Sequence, residues 1–101
     1  MSEIIEKDEL PSRLPPEWQI VDGKPRVVFA TDSFSVGADF VSRIAHVADD
    51  LNHHPDVVLT YPTVEVTTIS HDVGAVTERD IALAEQVSQV AQKLGIAAAT
   101  N

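Results

Sequence analysis

Three of the four histidines in this chain stand where elements end. His53 and His54 lie in Asp49-Asp50-Leu51-Asn52-His53-His54-Pro55, and His71 in Ser70-His71-Asp72. Imidazoles, with an ordinary pKa of about 6.5, both donate and accept protons at neutral pH. Side chains at element ends can be aimed at a common point without occupying the core. Asp49, one helical turn earlier, adds a carboxylate. A zinc site on a helix places two histidines three or four residues apart on one face, whereas neighbours such as His53 and His54 diverge. General acid and base catalysis is therefore a better use of the cluster than metal binding. Taken alone, His-His-Pro also suits a helix-ending turn in which Pro55 stops the helix and the imidazoles cap carbonyls. Ser70 beside His71 does not make a nucleophilic pair, because strand neighbours point to opposite faces and no Gly-x-Ser-x-Gly turn exists. His46 falls in mid-helix off the apolar stripe and reads as a solvated surface residue.

The elements that must position these residues follow from periodicity. Residues 18–21 and 27–30 are strand-like runs flanking Asp22-Gly23-Lys24-Pro25, a tight-turn signal that makes them a hairpin. From residue 33 to 51, Val36, Phe40, Ile44, Val47, Ala48 and Leu51 recur at helical spacing, with Ser33 or Ser35 as cap and Asn52 as a left-handed stop. Residues 57–61 and 64–70 form a second strand pair bent at Pro62, with Val64, Val66 and Thr68 on the core face. Thr77-Glu78-Arg79-Asp80 fits a capping box. It opens a helix with Ile81, Ala84, Val87, Ala91 and Leu94 as its stripe and Gly95 as its stop.

The order β-β-α-β-β-α, with a possible short N-terminal helical turn, predicts an α+β fold. We expect a four-stranded antiparallel sheet covered on one face by two long helices. The opposite face, with Ile69 and Trp18 or Val21, would then be free for a ligand groove or, preferably, for association with another subunit. Residues 1–16 and 97–101 are expected to be frayed, leaving one domain over residues 1–101 with an ordered core of about 10–95.

Composition narrows the function. Sixteen acidic against 7 basic residues give a net charge of −9, which disfavours nucleic acid and anionic membrane surfaces as partners. No basic start with an apolar stretch and no long apolar run is present, so a cytoplasmic location is expected. The lack of cysteine excludes disulfides, thiolate metal sites and thiol nucleophiles. A chain this short buries only roughly 60 to 70% of its extended surface, so an open or shared site is expected over a large private cavity.

The run from Asp49 to Pro55, followed by Tyr61, His71 and Asp80, resembles the signature of the pterin-4a-carbinolamine dehydratases. Trp18, Phe34 and Ser70-His71-Asp72 before Thr77-Glu78-Arg79-Asp80 fit the same pattern. The resemblance covers about residues 10 to 95. It implies dehydration of a 4a-hydroxytetrahydropterin, left by aromatic amino acid hydroxylases, to the quinonoid dihydropterin, with neither metal nor organic cofactor. It implies His53, His54 and His71 as the catalytic group and a homodimer or homotetramer as the assembly. Asp49 would hold the pterin or orient a histidine, and Trp18 would line the pocket. Asp80 belongs to the substrate site by the same pattern, although its place in the capping box also gives it a structural use. Asp49 departs from the Glu of many members, shortening its reach by one methylene. The competing reading is a dimerisation or assembly module of the same fold.

Overall fold

The computed structural model describes residues 4–99. Strands β1 (Gln19–Val21) and β2 (Lys24–Ala30) pair antiparallel. Asp22 and Gly23 between them take φ of 52° and 78°, the paired positive values that a two-residue turn matching strand twist requires. Helix α2 (Phe34–Leu51) follows, with the Ser33 side chain accepting from the Val36 N–H and Asn52 left-handed at φ 51°. Strands β3 (Asp56–Leu59) and β4 (Thr63–Thr67) come next, then helix α3 (Glu78–Leu94), opened by the Thr77 and Asp80 capping box and closed by Gly95. The sheet order is β1-β2-β4-β3, and every pairing is antiparallel.

Register builds the core in rows. Val57, Val66 and Val27 are cross-strand partners, as are Leu59, Val64 and Phe29. These side chains meet α2 and α3 on one face of the sheet, where the Phe29 and Phe40 rings cross edge-to-face at 5.2 Å. The α2 stripe begins at Gly37 rather than Val36, which is exposed. A β-carbon at Gly37 would lie 2.7 Å from Leu59 Cδ1, so strand β3 approaches too closely for any other residue to sit there without displacing Leu59. In α3, Leu83 is buried and Leu94 is exposed, the reverse of the weight given to them by spacing.

Both ends carry more structure than expected. Ile5 donates its N–H to the Val76 carbonyl, a 3₁₀ turn over Lys7–Glu9 leads into the short helix α1 (Leu10–Arg13), and Ile5, Leu10 and Leu14 are buried in the common core. Arg13 Nη2 reaches Glu78 Oε1 at 2.6 Å, joining α1 to the start of α3. At the other end, Ala97–Ala98 forms a fifth strand, β5, beside β2 where β1 has ended. A small domain has too little core to leave Ile5, Leu10 and Ile96 in water, and the backbone follows them. The fraying expected at residues 1–3 and 100–101 lies outside the described residues. Trp18, expected on the outer face, is buried in the core instead, and its indole N–H donates to Ser88 Oγ at 2.8 Å.

Since Leu10 is only 2% exposed, Leu10→Ala should cost about 2–5 kcal/mol, the range for a truncated core leucine. Denaturant unfolding measures it, and a loss below about 1 kcal/mol would return the N-terminal segment to the status of a loose tail.

Candidate active site

The end of α2 sets His53 and His54 apart. The left-handed Asn52 reverses the chain, and the His53 N–H bonds back to the Ala48 carbonyl at 3.0 Å, the hydrogen bond of a Schellman cap. At the end of α3 the same geometry places Ile96, whose N–H bonds to the Ala91 carbonyl, in the core. His53 occupies the corresponding position and is likewise buried, at 7% exposure. His54, one residue on, faces solvent.

A buried imidazole needs a polar partner, and Asp80 supplies it. His53 Nε2 lies 2.6 Å from Asp80 Oδ1, and the Asp80 side chain has no exposed surface. Thr68 Oγ1 also donates to Oδ1, while Ser70 Oγ at 2.8 Å and the Thr77 N–H at 2.9 Å donate to Oδ2. One carboxylate thus joins the end of α2, the strand face continuing from β4, and the cap of α3. Removing either member of such a pair strands the other without its partner, which is far more costly than losing an exposed ion pair.

His54 Nε2 bonds Asp49 Oδ1 at 2.9 Å, with both side chains more than half exposed. His71 is exposed and lines a groove of about 890 Å³ between residues 4–8, the β1–β2 turn and the segment from Ile69 to Val76. The loop carrying His71 is closed by a bridge between Ser70 and Ala75 and by Arg79 Nη2 on Asp72 Oδ1 at 2.7 Å. The Arg79 guanidinium holds the Asp72 carboxyl below the usual carboxylate range. Tyr61 and His46 are exposed.

Of the six residues singled out in the sequence, the structure therefore joins His53 to Asp80 and His54 to Asp49. It sets His71 on a groove lined by none of the other five, and puts Trp18 on Ser88. Asp80 reaches His53 rather than solvent. Among the described residues, no three His, Asp or Glu are grouped so as to hold a metal ion, and no helix is long and apolar enough to cross a membrane. The capping box already paired the Thr77 N–H with Asp80, but sequence reasoning passed over Thr68 and Ser70 as its partners. The signal was available: Thr68 and Ser70 continue the alternation of Val64 and Val66 onto the core face, where a hydroxyl must find a buried acceptor.

Residues 3–90 match the family model described as pterin 4 alpha carbinolamine dehydratase. The chain belongs to the pterin-4a-carbinolamine dehydratase family. A protein of Haloarcula marismortui, provisionally named pterin-4-alpha-carbinolamine dehydratase, is 36% identical over 90 residues, 89% of this chain and 98% of its own. One from Nitrobacter hamburgensis with the same provisional name is 42% identical over 82 residues, 79% of this chain and 81% of its own. A crystal structure from Brucella melitensis, described as a transcriptional coactivator/pterin dehydratase, superposes with a TM-score of 0.80 at 31% identity. It covers 88% of this chain and 99% of that one. Within this pterin-4a-carbinolamine dehydratase fold, the two adjacent histidines have opposite environments.

That contrast has an energetic consequence. Asp80→Ala and His53→Ala should each lower stability by about 3–5 kcal/mol, as expected for breaking a buried pair. His54→Ala should stay within about 0.5 kcal/mol, as for an exposed residue. Urea unfolding of the three variants compares them, and equal midpoints for His53→Ala and His54→Ala would contradict the buried pair.

Proposed function

We propose that this chain dehydrates a 4a-hydroxytetrahydropterin to the quinonoid dihydropterin through its histidines. Hydroxide is a poor leaving group, so one imidazolium must protonate the 4a oxygen while a second imidazole takes the proton of the ring nitrogen. The C–O bond then breaks, water leaves, and a C=N bond forms in the ring. The observation that carries this reading is the buried Asp80 behind His53, an arrangement that orients a ring and leaves its other nitrogen for chemistry. His53 keeps 7% of its surface exposed and is not fully enclosed by the core. His54 with Asp49 supplies a second, solvent-facing proton carrier, and His71 a third at the groove. Side-chain groups suffice for the proton transfers, which supports a reaction needing neither metal nor organic cofactor. Such a reaction regenerates a reusable pterin downstream of a hydroxylase, and nothing in it calls for a membrane or nucleic acid; a cytoplasmic location fits.

A direct dehydration assay with a 4a-hydroxypterin tests the reading. Replacing His53, His54 or His71 by Ala should lower turnover about 10²- to 10⁴-fold, the usual contribution of an acid or base group. His46→Ala should leave it unchanged, as should dialysis against a strong chelator. Wild-type-like rates in a folded His54→Ala, His71→Ala double variant would overturn the assignment.

A homo-oligomer is the second part of the proposal, supported by the outer sheet face. There the exposed Val58 is the cross-strand partner of Glu65, as is Val28 on the other side, and Val21, the partner of Lys24 on the adjoining hairpin, is also exposed on this face. Sedimentation at micromolar concentration should give a mass well above 10.9 kDa, and Val58→Asp should reduce it. A wild-type chain that sediments as a monomer would contradict the association.

A further inference from the structure

Asp80 has about four lone-pair sites for hydrogen bonds, and three donors and one imidazole nitrogen meet it. His53 Nε2 and Thr68 Oγ1 reach Oδ1, and Ser70 Oγ and the Thr77 N–H reach Oδ2. Each hydroxyl has a single proton, so the direction of every bond in the cluster can be worked out. Ser70 spends its proton on Asp80, and the 2.7 Å contact between Ser70 Oγ and Thr77 Oγ1 must then be donated by Thr77. Thr77 Oγ1 in turn accepts from the Arg79 N–H at 3.2 Å and lies 3.4 Å from Arg79 Nε, which has only a proton to offer. The chain therefore runs one way, from Arg79 to Thr77, to Ser70, to Asp80. Thr68 also gives its proton to Asp80, so the lone pairs of its oxygen are what it turns toward His53 Nε2, 3.4 Å away.

We propose that Thr68, Ser70 and Thr77 are positioning residues that lock His53 in the tautomer protonated on Nε2, with Nδ1 as the free acceptor. A carboxylate saturated by donors offers His53 only an acceptor, and a threonine oxygen whose proton is spent offers the same. The imidazole can satisfy both only by carrying its hydrogen on Nε2. All three hydroxyls are buried, so water does not supply an alternative partner. The lock also spans the loop that bears His71, because Arg79, at the head of the donor chain, holds Asp72 through Nη2. Its meaning for catalysis rests on the dehydratase reading, since it would make Nδ1 of His53 the proton acceptor. The tautomer itself does not depend on that reading.

Long-range proton–nitrogen correlation spectra of the full-length chain, labelled with ¹⁵N-histidine and recorded above the imidazole titration range, read the tautomer without any substrate. His53 should show a protonated Nε2 and an unprotonated Nδ1. Thr68→Val, close to isosteric, and Ser70→Ala should each admit the second tautomer and lower kcat about tenfold, the scale for losing an outer hydrogen-bond partner, with KM little changed. Thr68→Ser should restore both. A wild-type His53 protonated on Nδ1 overturns the lock, as does a folded Thr68→Val or Ser70→Ala variant with unchanged tautomer and kcat. If both variants fail to fold, the wild-type spectrum alone decides. The expected tautomer in a chain that does not dehydrate the pterin overturns the dehydratase reading and leaves the lock standing.

Discussion

A carboxylate without solvent exposure constrains everything near it. Transfer of an isolated charge to the interior costs several kcal/mol even after relaxation, and only a full set of donors makes it tolerable. Asp80 meets that demand by drawing its donors from three places: His53 after α2, Thr68 and Ser70 on the core face continuing from β4, and the Thr77 backbone at the cap of α3. The end of one helix, the start of the other and the sheet between them are thereby held in one relative position. An apolar residue at position 80 would pack with less to satisfy. The charge gives a directional constraint that apolar packing lacks, and it orients a histidine.

Two adjacent residues obtain opposite environments from one backbone feature. The left-handed Asn52 turns the chain so that His53 folds back under α2 while His54 points outward to Asp49. Burial and a short hydrogen bond restrict the first ring, whereas the second can exchange protons with water and reorient. Chemistry that moves two protons on one substrate gains from such a division, since one group must hold its geometry and another must be replenished from solvent. His71 adds a third imidazole on a loop closed by Arg79 and Asp72, residues of the same 70–79 segment that supplies Ser70 and Thr77. The candidate site is thus a property of the α2 end and the 68–80 segment together.

The same economy shows in the rest of the fold. With one core to share, the chain uses its N-terminal segment, Trp18 and the short β5 strand to cover apolar surface that α2 and α3 leave open. The outer face of the sheet is left mixed, with Arg26 and Glu65 paired across strands at 2.6 Å beside exposed valines. A surface of that kind is compatible with water and also with a second subunit, because the ion pair can be retained while the valines are covered.

Much of this was legible in the amino-acid order because it depends on short-range physics. Asp22-Gly23 specifies a tight turn through positive φ, Ser33 and Thr77 cap helices through local hydrogen bonds, and Asn52 and Gly95 end them. Period-two alternation put Val64, Val66 and Thr68 on the buried face, and the resemblance around His53, His54, His71 and Asp80 identified the family. What tertiary structure decided was contact between residues distant in sequence. Burial of Ile5 and pairing of Ala97 depend on what α3 and β2 offer them, Gly37 is buried because β3 passes close to it, and Trp18 turns inward because Ser88 awaits its N–H. The partnership of His53 with Asp80, 27 residues apart, belongs to this second kind. Spacing could mark both residues as chemically notable, but only the packing of α2 against α3 could make one the buried counterpart of the other.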